Sequence, residues 1–198
     1  MAKSGDAKRN QLSAQDWLLA AIAAMAKGGV ENVKVERLAK SLGTSKGSFY
    51  WHFKDRKDLL DQLIRYWVTQ GTEQVMATNE RDETSPHDKL VALFHVALKE
   101  PVGALSSAQG EMAMRSWAMV DPNIAQTVSE TDQQRIDYVI HLFAEHGYSQ
   151  ERATTNSHQL YLMLLGYYAR ATYAPNAAKA AQESILATLD DMLTARSI

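Results

Sequence analysis

Between Lys34 and Lys54 the chain gathers polar side chains that act through hydrogen bonds alone: Lys34, Thr44, Ser45, Lys46, Ser48, Tyr50, His52 and Lys54, with Gly47 and Trp51 among them. A lysine ammonium can bond guanine O6 and N7 in a major groove, or neutralise a phosphate. Tyrosine, histidine and lysine donors on phosphate oxygens set register without reading sequence. The short side chains of Thr44, Ser45, Gly47 and Ser48 let a helix sit deep in a groove. These ten residues are the expected DNA-contacting set, with Lys46 as the base reader.

Other chemistries are weaker. Gly43-Thr44-Ser45-Lys46-Gly47 spells G-x-S-x-G, but a hydrolase elbow needs a preceding strand. A helical pattern precedes it here, so no enzyme activity is expected. The six histidines offer no metal spacing. His141 and His146 fall on different helix faces, His87 and His95 lack a third ligand, and H-E-x-x-H is absent. No cofactor or metal is expected. Phe49, Tyr50, Trp51 and Phe53 could stack single-stranded bases, yet their helical spacing buries Phe49 and Phe53 and favours duplex binding. The absence of cysteine excludes disulfides and thiolate chemistry.

Helical periodicity positions these residues. Ser13 caps a first helix with Trp17, Leu18, Ala21, Ile22 and Met25 on one face, ended by Gly28-Gly29. A second starts between Val33 and Val35 and buries Leu38, Ala39 and Leu42, and Gly43 makes the turn. Ser45 caps a third, through Phe49 or Trp51. A fourth starts near Asp55 and carries Leu59, Leu60, Leu63, Ile64 and Trp67. The polar run Thr78 to His87, with Pro86, reads as a connection. Further helices are expected over Asp88–Lys99, Ser107–Val120, Pro122–His146, Gln150–Tyr173 and Asn176–Ala195, punctuated by proline and glycine. The fold class is all-α, about nine helices: a three-helix helix-turn-helix domain over residues 10–57 and a larger helical domain over 58–198.

Two short helices around a tight turn are what a helix-turn-helix requires. The segment LAKSLGTSKGSFYWHFKDRKDLL, residues 38–60, resembles the TetR family of one-component repressors. Its marks are Leu38-Ala39, Gly43-Thr44, Tyr50-Trp51-His52-Phe53, Lys57 and Leu59-Leu60. Thr44 departs from the valine common there, at a minor packing position. The resemblance implies a homodimer on a near-palindromic double-stranded operator, released when a small-molecule effector binds the larger domain.

Charge is divided in the same way. Residues 1–60 carry eleven Lys/Arg against six Asp/Glu, net +5, which leaves −7 for the remainder. A phosphate-seeking head on an acidic body follows. In the body, Trp67, His95, Met112, Arg115, Trp117, Tyr138 and His141 are the candidate effector residues, a mixture of apolar bulk and a few polar groups. Glu111 and Arg115 are spaced for an i,i+4 ion pair. Apolar stripes on the last two helices, Leu160, Met163, Leu164, Gly166, Tyr167 and Ile185, Leu186, Leu189, Met192, Leu193, form the expected dimer surface. Residues 1–12, with Lys8 and Arg9, form a basic arm suited to a minor groove. Neither a signal peptide nor a membrane span is legible, so a cytoplasmic location is expected.

Overall fold

The first helix starts where its sequence says it should. Ser13 and Asp16 close a capping box, and α1 runs Ala14–Gly28 with Trp17, Leu18, Ala21, Ile22 and Met25 buried. The computed structural model describes residues 12–83, 85–98 and 107–195, so most of the basic arm, including Lys8 and Arg9, lies outside the described residues. Helix α2 covers Val35–Ser41 and α3 covers Lys46–Tyr50. Between them Gly43 has φ +64°, a left-handed conformation that costs any side chain about 1–2 kcal/mol. The Thr44 amide closes the turn on the Ala39 carbonyl at 2.9 Å. Ser45 begins α3 through its extended backbone, but its hydroxyl makes no capping bond, so that expected cap is corrected.

Helix α4, Arg56–Val68, is capped by Asp55, whose carboxylate accepts from the Asp58 amide at 2.8 Å. It does not stop at Thr78. The rod passes through a π turn, Thr69–Glu73, and continues as α5, Gln74–Asp82. The polar run expected to be a connection is largely helical because its side chains find tertiary partners. Buried Asn79 donates to the Lys89 carbonyl at 3.1 Å and to the Tyr138 hydroxyl at 2.9 Å. Glu80 pairs with Lys89 and accepts from the Tyr138 hydroxyl. Ser85 then caps α6, Pro86–Ala97, with Pro86 in the first turn, where its missing N–H costs nothing.

Helix α7 is Ser107–Ala118, α8 is Pro122–Glu145, α9 is Gln150–Tyr173 and α10 is Pro175–Thr194. With the α4–α5 rod counted once, the described residues hold nine helices and no strand. Two apolar cores result. The first joins α1 to α4 with Ala113, Met114 and Trp117 of α7 and Ile124 and Val128 of α8. The second unites α6, the later turns of α8, α9 and α10.

The stripe expected to face a second subunit is largely spent in that second core. Leu160, Leu164, Tyr167, Ile185, Leu189 and Leu193 are all buried within this chain. Within the chain that apolar face packs where α9 meets α10 and the later turns of α8.

Candidate nucleic-acid interface and effector cavity

The helix-turn-helix stands on an aromatic wedge. Phe49 is fully buried, edge-on to Trp17 with centroids 5.3 Å apart and stacked on Phe53 at 5.2 Å. Such aromatic pairs contribute about 0.5–1.5 kcal/mol beyond area burial. Arg56 adds a polar strap. Its Nε donates to the Val33 carbonyl and its Nη2 to the Val30 carbonyl, each at 2.7 Å. The start of α4 is thereby tied to the loop between α1 and α2.

With Phe49 turned inward, the opposite side of α3 faces solvent. Ser45, Lys46, Gly47, Tyr50, Trp51, Lys34 and Lys54 are exposed, and Thr44, Ser48 and His52 are half-buried. Tyr50 is 60% exposed and Trp51 87%, so their rings belong to the outer surface and not to the core. Of the ten sequence-chosen residues, seven are thus exposed and three half-buried. Lys46 is already engaged: its Nζ sits 2.5 Å from Glu36 Oε1. The hydrogen bond from Lys46 holds the Glu36 carboxyl below its ordinary range. Sequence reasoning missed this partner, ten residues away on α2.

A cavity of about 250 Å³ opens in the body. Gln70, Gly71 and Thr72 of the π turn form one wall, with Val75 and Met76 below. Leu93, Phe94, Val96 and Ala97 of α6 face them. Helices α7, α8 and α9 supply Glu111, then Arg135, Tyr138 and Val139, then Tyr161, Leu164 and Tyr168.

Glu111 is the hub of a closed polar cluster. Its Oε1 accepts from Trp67 Nε1 at 3.0 Å and from Arg135 Nη2 at 3.1 Å. Its Oε2 accepts from Arg115 Nη1 at 2.9 Å and from Arg135 Nη1 at 3.0 Å. Arg115 goes on to Asp132 at 2.8 Å and the Tyr161 hydroxyl at 3.1 Å. Arg135 also donates to Thr72 Oγ1 at 2.8 Å and to the Gly71 carbonyl at 3.2 Å. Burial works against the Arg135 charge, and the neighbouring Glu111 carboxylate more than offsets it, so the guanidinium titrates above its ordinary value. Burial likewise raises the phenols of Tyr161 and Tyr168, and pushes Tyr138, which also donates to Glu80, up to about 12.

Of the seven candidate effector residues, Tyr138 lines the cavity. Trp67 and Arg115 reach its edge through Glu111. The expected i,i+4 pair of Glu111 and Arg115 is present. Trp117 is buried in the first core and Met112 packs against the second. His95 is exposed, and His141 faces outward 3.4 Å from Glu145. The residues missed are Arg135, Tyr161, Tyr168 and the π turn. Gly71 was the one legible signal, since a glycine inside a helical pattern needs a packing reason.

Among the described residues no three His, Asp or Glu side chains converge as a metal site, and no helix is long and apolar enough to cross a membrane. Helix α2 precedes the Gly43–Gly47 motif, which removes the strand a nucleophile elbow would need.

Residues 18–63 match the family described as bacterial regulatory proteins, tetR family. An HTH-type transcriptional regulator of Staphylococcus aureus (strain USA300) is 35% identical over 70 residues, 35% of this chain and 35% of that protein. The matched stretch therefore spans about a third of the curated relatives' length. Solved structures extend the likeness in fold to more than nine-tenths of the chain. A TetR transcriptional regulator from Legionella pneumophila superposes with TM-score 0.71 at 15% identity, covering 96% of this chain and 98% of that one. A transcriptional regulator from Rhodococcus sp. Rha1 gives 0.69 at 18%, covering 92% and 96%. One from Saccharomonospora viridis, solved in complex with choline, gives 0.70 at 18% with the same coverage. Residues 18–63 are thus similar to the tetR family, and the chain shares the fold of these solved regulators.

Proposed function

We propose that the chain is a DNA-binding transcriptional regulator, a repressor that binds a near-palindromic operator as a homodimer and is released by a small-molecule effector. The observation that carries this reading is the exposed row of donors on α3, set against the buried wedge of Phe49. Lys46 reads a base edge, Thr44, Ser45, Gly47 and Ser48 allow close approach, and Lys34, Tyr50, Trp51, His52 and Lys54 flank the phosphates. The effector occupies the 250 Å³ cavity, from which the α4–α5 rod leads to the head. The choline complex of the Saccharomonospora viridis protein supports a small-molecule site in this fold. For the dimer, the outer face of α9 offers exposed Leu162 and Tyr173, with Gly166 open between them.

Selection of genomic fragments by the purified protein at near-physiological salt tests the reading. Recovery of one near-palindromic site is the expected result, and recovery of no preferred sequence sinks it. Lys46→Ala should then lose about 1–3 kcal/mol on that site if the lysine reads a guanine. Equal loss on operator and random DNA would demote it to a phosphate contact.

A further inference from the structure

The polar cluster beside the cavity decides what the cavity can accept, and the inference below rests on reading that cavity as the effector site. The face of Trp67, the Glu111 carboxylate, the Gly71 carbonyl and the Thr72 hydroxyl surround one point. An aromatic face with an anion and neutral oxygens is what an organic cation needs. That point is already filled by the chain itself. The Arg135 guanidinium lies 4.9 Å from the Trp67 ring centroid and bonds Glu111, Gly71 and Thr72. Gly71 makes the room: a Cβ there would stand 3.3 Å from Arg135 Nη2.

An anion meets the same difficulty from the other side. Both guanidinium groups are held by carboxylates, Arg135 by Glu111 and Arg115 by Glu111 and Asp132. Two cations and two anions cancel. A charged newcomer must displace one of them and leave its partner buried and unpaired, which is strongly unfavourable. The remaining wall is mainly apolar, with Val75, Met76, Leu93, Val139 and Leu164. Its volume of about 250 Å³ exceeds the roughly 150 Å³ that accommodates benzene in a protein interior.

We propose that the cavity selects a compact, uncharged, largely apolar molecule of about one substituted ring, and that Arg135 sets this selectivity by occupying the cation cage from within. A neutral occupant leaves the cluster intact and presses on the π turn, which Arg135 clamps through Gly71 and Thr72. Arg135 is therefore both the excluding group and a direct contact to the rod that leads to the head.

Calorimetric titration of the full chain with benzyl alcohol, benzylamine and benzoate separates the three charge states on one ring. Benzyl alcohol should bind, with the two charged analogues weaker by about tenfold or more. Arg135→Met empties the cage over Trp67 and leaves the Glu111 and Asp132 carboxylates with Arg115 as their one guanidinium partner, so benzylamine should overtake benzyl alcohol. Arg135→Lys keeps the charge and should keep the original order. Ala97→Phe fills the cavity and should abolish benzyl alcohol binding with the circular dichroism spectrum unchanged. Should Arg135→Met fail to fold, the order in the unaltered chain and the Ala97→Phe result carry the test. Equal or tighter binding of either charged analogue to the unaltered chain, or no binding of benzyl alcohol, overturns the proposal. Selective binding of benzyl alcohol by a chain that recovers no preferred DNA fragment would leave the selectivity standing and sink the regulator reading.

Discussion

The head and the body solve opposite problems with similar means. In the head a wedge of Trp17, Phe49 and Phe53 is buried and the lysines are exposed: Lys46, Lys54 and Lys34 reach solvent. In the body, two arginines and a glutamate are drawn in beside a cavity, and Glu111 is only 7% exposed. The difference matches the two roles proposed for these surfaces. A groove-reading surface keeps its donors in water until phosphates or bases replace that water. A small-molecule site needs a dry wall, and charges within it must be closed on one another. The head therefore stands on packing and the body's cavity on polar order.

Substitutions that strike each basis separately would sharpen or break that contrast. The largest effect is expected from Phe49→Ala, which removes the wedge between Trp17 and Phe53. It should destabilise by about 3–5 kcal/mol in urea unfolding, and a loss below about 1 kcal/mol would show that the head does not rest on packing. Glu111→Gln keeps the shape but weakens the charge-assisted bonds to Arg115 and Arg135. A loss of about 1.5–3 kcal/mol is expected, without any effect on operator binding by protein that remains folded. Gly43→Ala forces a side chain into the left-handed region and should cost about 1–2 kcal/mol, read from the same unfolding curves.

The smallest effect concerns pH. The Tyr138 phenol is raised to about 12, mainly by burial and by its bond to Glu80, from an unfolded value of about 10. Its stabilisation is fully present below pH 10 and is lost as pH rises towards 12, because the unfolded chain gives up the proton first. Tyr161 and Tyr168 are raised as well, so stability should fall across this window. Tyr138→Phe should make the fall shallower. An unchanged slope in unfolding midpoints between pH 9 and 12 would remove Tyr138 from the account.

Much of the head was legible because its determinants are local. Ser13 and Asp16 are three residues apart, Trp17, Ala21 and Met25 recur at helical spacing, and Gly43 stands in the turn that needs it. The donors on α3 follow from the same periodicity once Phe49 is placed inward. Lys46's partner Glu36 was not legible, because it comes from another helix across the turn. In the body, the polar run from Thr78 was misread for a related reason. Asn79 and Glu80 look like connecting residues until Lys89 and Tyr138 arrive to satisfy them.

Sequence alone determined the all-α class, the helix-turn-helix and the charge difference between head and body, since periodicity, capping and turn chemistry act within a few residues. Tertiary structure decided the rest. Arg135, Glu111 and Thr72 stand 24 and 63 residues apart along the chain as they bond to Arg135, and nothing in their local spacing announces the meeting. The same holds for the apolar stripe of α9 and α10, whose burial depends on which helices pack against it. Long-range contacts of this kind are set by how amphipathic faces pack, and a buried charge finds its partner only when that packing is complete.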